Sequence, residues 1–250
     1  MSPLLRALSH FRSLAVTVPL AYLSTVVWGT VSLLVSAFDS TGRIQHLCAR
    51  GWARTLLFLA GARVTVRGAE HLDPGRTYIF AANHQSYFDI PVAFAYLPAN
   101  FRIMAKATLF HIPFLGWHLR RSGHMPIERA NPRRAARSLL EAATHVLEGT
   151  SVFVFPEGGR TPDGNFKEFK TGTFLLAIKA GVPVVPVTLN GTRAVLKMNS
   201  FHVHPGRVEM ILHPPISTDG MNSSSAETLC AQVREIIAAD YDLSSAIKAL

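Results

Sequence analysis

The amino-acid sequence predicts a mixed α/β architecture, with a largely buried sheet flanked by helices, behind an N-terminal hydrophobic helical segment that anchors to a membrane. Three observations lead there. From Val64 onward, short β-like runs alternate with helical patterns, the order expected of a layered α/β domain. Two of the runs, SVFVF at 151–155 and VPVVPV at 182–187, have the unbroken apolar content of strands buried on both faces. Ahead of them, Ser13 to Phe38 carries no charge at all.

That uncharged stretch would extend about 39 Å as a continuous helix, against roughly 30 Å for the hydrocarbon core of a bilayer. Pro19, and Gly29 beside Trp28, are expected to bend or break it. Arg6, Arg12 and Val35-Ser36-Ala37 also fit the outline of a cleaved signal peptide. The apolar part is longer than the roughly 7–15 residues such a leader needs, so an anchor is the better reading. A second apolar patch, Thr55 to Ala62, is too short to span alone. The expected organisation is an anchoring segment over 1–62 and an α/β domain over 63–250.

Within the domain, strands are predicted at Arg63–Arg67, Thr77–Ala82, Phe101–Ala105, His124–Ile127, Ser151–Phe155, Val184–Leu189 and Arg207–Leu212. Pro132 to Glu148 reads as an amphipathic helix, with Ala136, Leu139, Leu140, Ala143, Val146 and Leu147 at helical spacing and Gly149 beyond its end. Further helices are expected within Lys167–Ala180 and over Ala226–Ala239.

Composition narrows the partners. Charged residues make up only 16% of the chain while 48% are hydrophobic, and the mean hydropathy is +0.22. The net charge is +9, yet Lys and Arg are scattered, without the clustered basic tract of a nucleic-acid binder. A bilayer is the expected partner. Cys48 and Cys230 are far apart, which argues against a disulfide framework or a thiolate metal site.

Four segments carry the chemistry. Asn83-His84-Gln85-Ser86-Tyr87-Phe88-Asp89 follows a predicted strand and opens a helix. Were His84 and Asp89 both on a regular helix, they would sit about 140° apart and could not meet. With His84 in the turn and Asp89 in the first helical turn, the imidazole can donate one N–H to the carboxylate and keep the other nitrogen as a base. The bland role for Asp89 is capping, since Ser86-x-x-Asp89 resembles a capping box. Phe155-Pro156-Glu157-Gly158-Gly159-Arg160-Thr161 places glycines and a forked cation directly after a strand, a combination suited to phosphate. Gly123 to Arg129 (GHMPIER) and the run VPVVPV are unremarkable alone.

Taken in order, NHQSYFD, GHMPIER, FPEGGRT and VPVVPV resemble the four sequence blocks of the glycerolipid acyltransferases, above all the bacterial 1-acyl-sn-glycerol-3-phosphate acyltransferases. The likeness runs from about Val64 to Pro215, and Phe169-Lys170-Thr171-Gly172 resembles that family's F-K-x-G. The resemblance implies His84 as general base, Asp89 as its orienting partner, and Lys106, Arg129, Glu157, Gly158 and Arg160 as acceptor-binding residues. It implies acyl transfer from acyl carrier protein or coenzyme A to a lysophospholipid, without metal or redox cofactor. The expected location is the inner membrane, with the catalytic domain on the cytoplasmic side. Two departures stand out: Gly159 occupies the Thr position of E-G-T-R, and Lys106-Ala107-Thr108-Leu109 replaces K-x-E-L. Competing readings are a metal-dependent hydrolase using His202 or His204, a membrane-tethered lipid-binding protein, and a transferase for another lysolipid such as lyso-ornithine lipid.

Overall fold

The computed structural model of the protein describes residues 3–39, 41–128 and 131–243. All seven expected strands form: β1 (Ala62–Arg67), β2 (Ile79–Ala82), β3 (Phe101–Lys106), β4 (Met125–Ile127), β5 (Ser151–Val154), β6 (Val184–Asn190) and β7 (Gly206–Leu212). They make one sheet in the order β1-β7-β6-β2-β5-β3-β4. β6, β2, β5, β3 and β4 run parallel, with Ile79 of β2 in register with both Val152 and Val184. β7 is antiparallel to β6, and β1 pairs in parallel with β7.

Alternation along the strands builds a core on each face. Phe80 and Ala82 of β2 point to the side of α3 (Arg43–Ala60) and α4 (Asp89–Tyr96), packing with Ala53, Leu57, Val92 and Phe94. Ile79 and Ala81 point the other way, into α6 (Pro132–Leu147), α7 (Gly172–Ala180) and α9 (Ala226–Ala239). The sheet is therefore covered on both sides, as continuous apolar strands require. The smaller helices α5 (Leu115–Arg121) and α8 (Thr192–Val195) lie between β3 and β4 and between β6 and β7. The two prolines of VPVVPV do not interrupt pairing: Pro183 precedes β6, and Pro186 stands just ahead of Val187, the first residue paired with β7.

At the N-terminus, α1 (Pro3–Arg12) and α2 (Val18–Val35) join through a π turn over Ser13–Thr17. Leu4–Val35 is one helix, long and apolar enough to cross a membrane and almost entirely exposed. Pro19 does not break it. Proline lacks an N–H and crowds the carbonyl four residues back; the π turn, with Val18 N–H reaching Ser13 O, absorbs the irregularity one residue ahead. Gly29 serves as a notch instead of a bend: a Cβ there would lie 2.7 Å from the Phe114 ring. α3 packs against α2 through reciprocal bonds, Trp28 Nε1 to Thr55 Oγ1 (3.3 Å) and Trp52 Nε1 to Thr25 Oγ1 (3.0 Å), with the Trp28 ring seated over Gly51. The patch Thr55–Ala62 thus belongs largely to a longer helix, shared between α2 and the sheet.

Candidate active site

In open α/β sheets, ligands gather outside the carboxyl ends of parallel strands. Here those ends bring the chemical segments to one edge. β2 delivers His84, β5 delivers Glu157 to Arg160, and β3 ends on Lys106, which is exposed. β4, parallel to β3 with Ile127 opposite Lys106, ends two residues before Arg129. Arg129 itself lies outside the described residues.

The turn after β2 is built around one carboxylate oxygen. Asp89, the first residue of α4 and 0% exposed, accepts through Oδ2 from His84 Nδ1 (2.7 Å), Gln85 N–H (2.7 Å) and Ser86 N–H (2.8 Å). The capping box expected from Ser86-x-x-Asp89 does not form: Phe88 is the N-cap of α4 and no side chain caps it, Ser86 Oγ accepts from Phe88 N–H (3.1 Å), and Asp89 instead holds the imidazole and the backbone of the preceding turn. Because Nδ1 faces an acceptor, it carries the ring proton, and Nε2 on the opposite edge is the basic nitrogen. Asn83 ties the turn to β6 by two bonds, donating to Leu189 O (2.9 Å) and accepting Leu189 N–H (2.7 Å). Ser86 Oγ donates to Leu196 O (2.8 Å).

β5 supplies the floor. The expected strand stops one residue early, at Val154, because Phe155 turns to stack under His84, ring centroids 3.8 Å apart. Glu157 then reaches back beneath β2: Oε1 accepts the His84 N–H (2.7 Å) and Oε2 the Lys167 N–H (3.1 Å). Burial, foremost, pushes the Glu157 pKa up to about 7, the two N–H donors opposing it and the Asp89 charge adding to it. Gly158 turns the chain at φ +71, a region that favours glycine, and a Cβ there would meet Lys170 Cε at 3.2 Å. Half-buried Arg160 lies with its guanidinium carbon 3.7 Å from the centroid of the Tyr87 ring, and its carbonyl accepts from Lys167 Nζ (2.7 Å).

The predicted residues His84, Asp89, Glu157, Gly158 and Arg160 therefore converge across β2 and β5. Glu157 spends both oxygens on backbone N–H groups. His202 and His204 touch with their rings tilted by 40°, and His202 bonds Ser9 and packs edge-on against His10, placing that pair against α1. The sequence reading missed Phe155, Lys167 and Tyr87. Tyr87 lay within the first block in plain view, whereas Lys167 sits in a polar loop that no periodicity marks.

An imidazole held by a buried carboxylate, beside a glycine turn and an arginine, is an arrangement able to accept a proton next to a cation. The chain belongs to the Acyltransferase family, whose model matches residues 63–190. It is 35% identical, over 84% of its length, to the chloroplastic 1-acyl-sn-glycerol-3-phosphate acyltransferase of Arabidopsis thaliana, of which it spans 58%. It is 28% identical to the enzyme of the same description from Pseudomonas aeruginosa, covering 79% of this chain and 77% of that one. The crystal structure of the 1-acyl-sn-glycerophosphate acyltransferase of Thermotoga maritima superposes with a TM-score of 0.78 at 30% identity, covering 92% of this chain and 94% of that one.

Proposed function

We propose that the protein moves a fatty acyl chain from a thioester to the sn-2 hydroxyl of 1-acyl-sn-glycerol 3-phosphate, forming phosphatidic acid. The observation that carries this reading is the His84–Asp89 pair, 2.7 Å apart and buried at the carboxyl end of β2, in a chain of the Acyltransferase family. Nε2 of His84 takes the proton of the acceptor hydroxyl as its oxygen attacks the thioester carbonyl. Asp89 holds the tautomer and offsets the positive charge that develops on the ring, as the carboxylate of a triad does. Collapse of the tetrahedral intermediate expels the thiolate, which recovers the proton from the imidazolium. No acyl-enzyme is needed.

Arg160, with Arg129 and Lys106 as further cations, binds the acceptor phosphate and thereby brings the hydroxyl to His84, lowering the entropic part of the barrier. Glu157 acts at one remove: it fixes the His84 backbone. The same steps serve an acyl carrier protein or coenzyme A thioester, since the reacting bond is identical. The exposed apolar helix Leu4–Val35 supports a reading in which the site works at a membrane, where acyl chains stay in apolar surroundings.

The test is thiol release by the full chain in lipid vesicles, with lysophosphatidate and each thioester. His84→Ala is expected to stay folded, by circular dichroism, and lose about 10²–10⁴-fold in turnover. Near-normal turnover of that variant, or wild-type thiol release indifferent to the lysolipid, would refute the mechanism.

A further inference from the structure

The contact between Tyr87 and Arg160 joins the two halves of the site. Tyr87 belongs to the turn after β2 that also carries His84, whereas Arg160 belongs to the turn after β5. The guanidinium carbon sits 3.7 Å from the ring centroid. Stacking of this kind uses the flat face of the guanidinium and leaves its N–H edge for a planar or tetrahedral anion. The backbone of Arg160 is fastened separately: Lys167 donates its ammonium to the Arg160 carbonyl (2.7 Å) and its N–H to Glu157 (3.1 Å). A Cβ at Gly159 would make only an ordinary contact, 3.9 Å, with Lys167 Nζ, so this fastening does not depend on a glycine there. With its backbone pinned by Lys167, the direction of the Arg160 side chain is set by the aromatic surface it lies on.

We propose that Tyr87 is a positioning residue, the platform that aims the N–H edge of Arg160 at the acceptor phosphate and holds that clamp at a set distance from His84. This rests on the lysophosphatidate reading above. Tyr87 is 46% exposed, so its ring is a minor part of the core and its replacement is not chiefly a lesion of folding. A phenyl ring offers the same face and an aliphatic side chain does not, which makes the pair of substitutions discriminating.

The experiment uses the full chain in vesicles, one thioester donor, and two acceptors, 1-acyl-sn-glycerol 3-phosphate and the phosphate-free 1-acylglycerol. Tyr87→Leu is expected to raise KM for the phosphate-bearing acceptor about five-fold, with kcat changed far less and the preference over 1-acylglycerol falling in step. Tyr87→Phe should stay within roughly two-fold of wild type. On an Arg160→Ala background, Tyr87→Leu should add nothing, because residues acting through one contact are not additive. Equal losses on both acceptors, or the full five-fold loss repeated without Arg160, overturn the proposal. Wild-type protein that ignores lysophosphatidate refutes the acceptor reading and this inference with it. Wild-type activity with an unchanged KM in Tyr87→Leu refutes the platform alone.

Discussion

Glu157 couples the site to pH through backbone hydrogen bonds. Its pKa, raised by burial to about 7, lies above the unfolded value, so the folded chain holds this proton more tightly than the unfolded one. The sign follows: the contribution favours folding below about pH 4.5 and is withdrawn as pH rises through about 7. Glu157→Gln should remove that slope, and thermal midpoints of the two proteins between pH 5 and 7.5 check it; parallel curves would contradict the assignment. Activity runs the opposite way, because the carboxylate accepts the His84 and Lys167 N–H groups more strongly than the neutral acid does. Wild-type turnover should therefore fall as Glu157 protonates below pH 7, and the pH–rate profile of the wild type read against that of Glu157→Gln checks it. In the sequence, His84 and Asp89 were visible as a pair that could meet across a turn, and their roles as base and partner came from the family resemblance. Glu157 was legible as a site residue through family resemblance. Its hold on the His84 backbone was not, since that needs β2 and β5 side by side.

The strands were readable as short runs, continuous and apolar in β5 and β6 and alternating in β1, and their limits moved by one or two residues only. Helices fared unevenly, for physical reasons. α6 announces itself by periodicity and an Asn131 cap that accepts from Arg133 and Arg134 N–H groups. α7 begins only at Gly172, later than its pattern allows, because the chain from Lys167 to Lys170 is held by Glu157 and by the Pro156 carbonyl. α3 escaped notice because Gly51 and several charges interrupt its pattern, and a mid-helix glycine is intrinsically unfavourable. Its reason is the Trp28 ring. Gly51→Leu would drive a side chain into that ring and is expected to cost about 1–3 kcal/mol, lowering the thermal midpoint in detergent. An unchanged midpoint would mean that α2 does not rest on α3.

Taken together, the chain is a basic, two-faced α/β layer carrying one long exposed apolar helix. Its +9 charge and its apolar helix should both favour anionic vesicles, but they separate with salt. Screening shortens from about 10 Å at 0.1 M to about 3 Å at 1 M, so charge-based binding fades while apolar insertion persists. Retention on vesicles in 1 M salt is expected for the wild type. The double substitution Leu23→Asp with Val27→Asp, at positions 58% and 50% exposed on α2, should release the protein under those conditions; continued retention would refute the helix as the anchor. The shared helix α3 has one more consequence. Because its one side completes the sheet's core and its other side receives Trp28, this apolar segment is no interchangeable tether. A chimera with a generic hydrophobic leader on a loose linker would leave Trp52, Gly51 and the Phe114 ring without the surface they pack against.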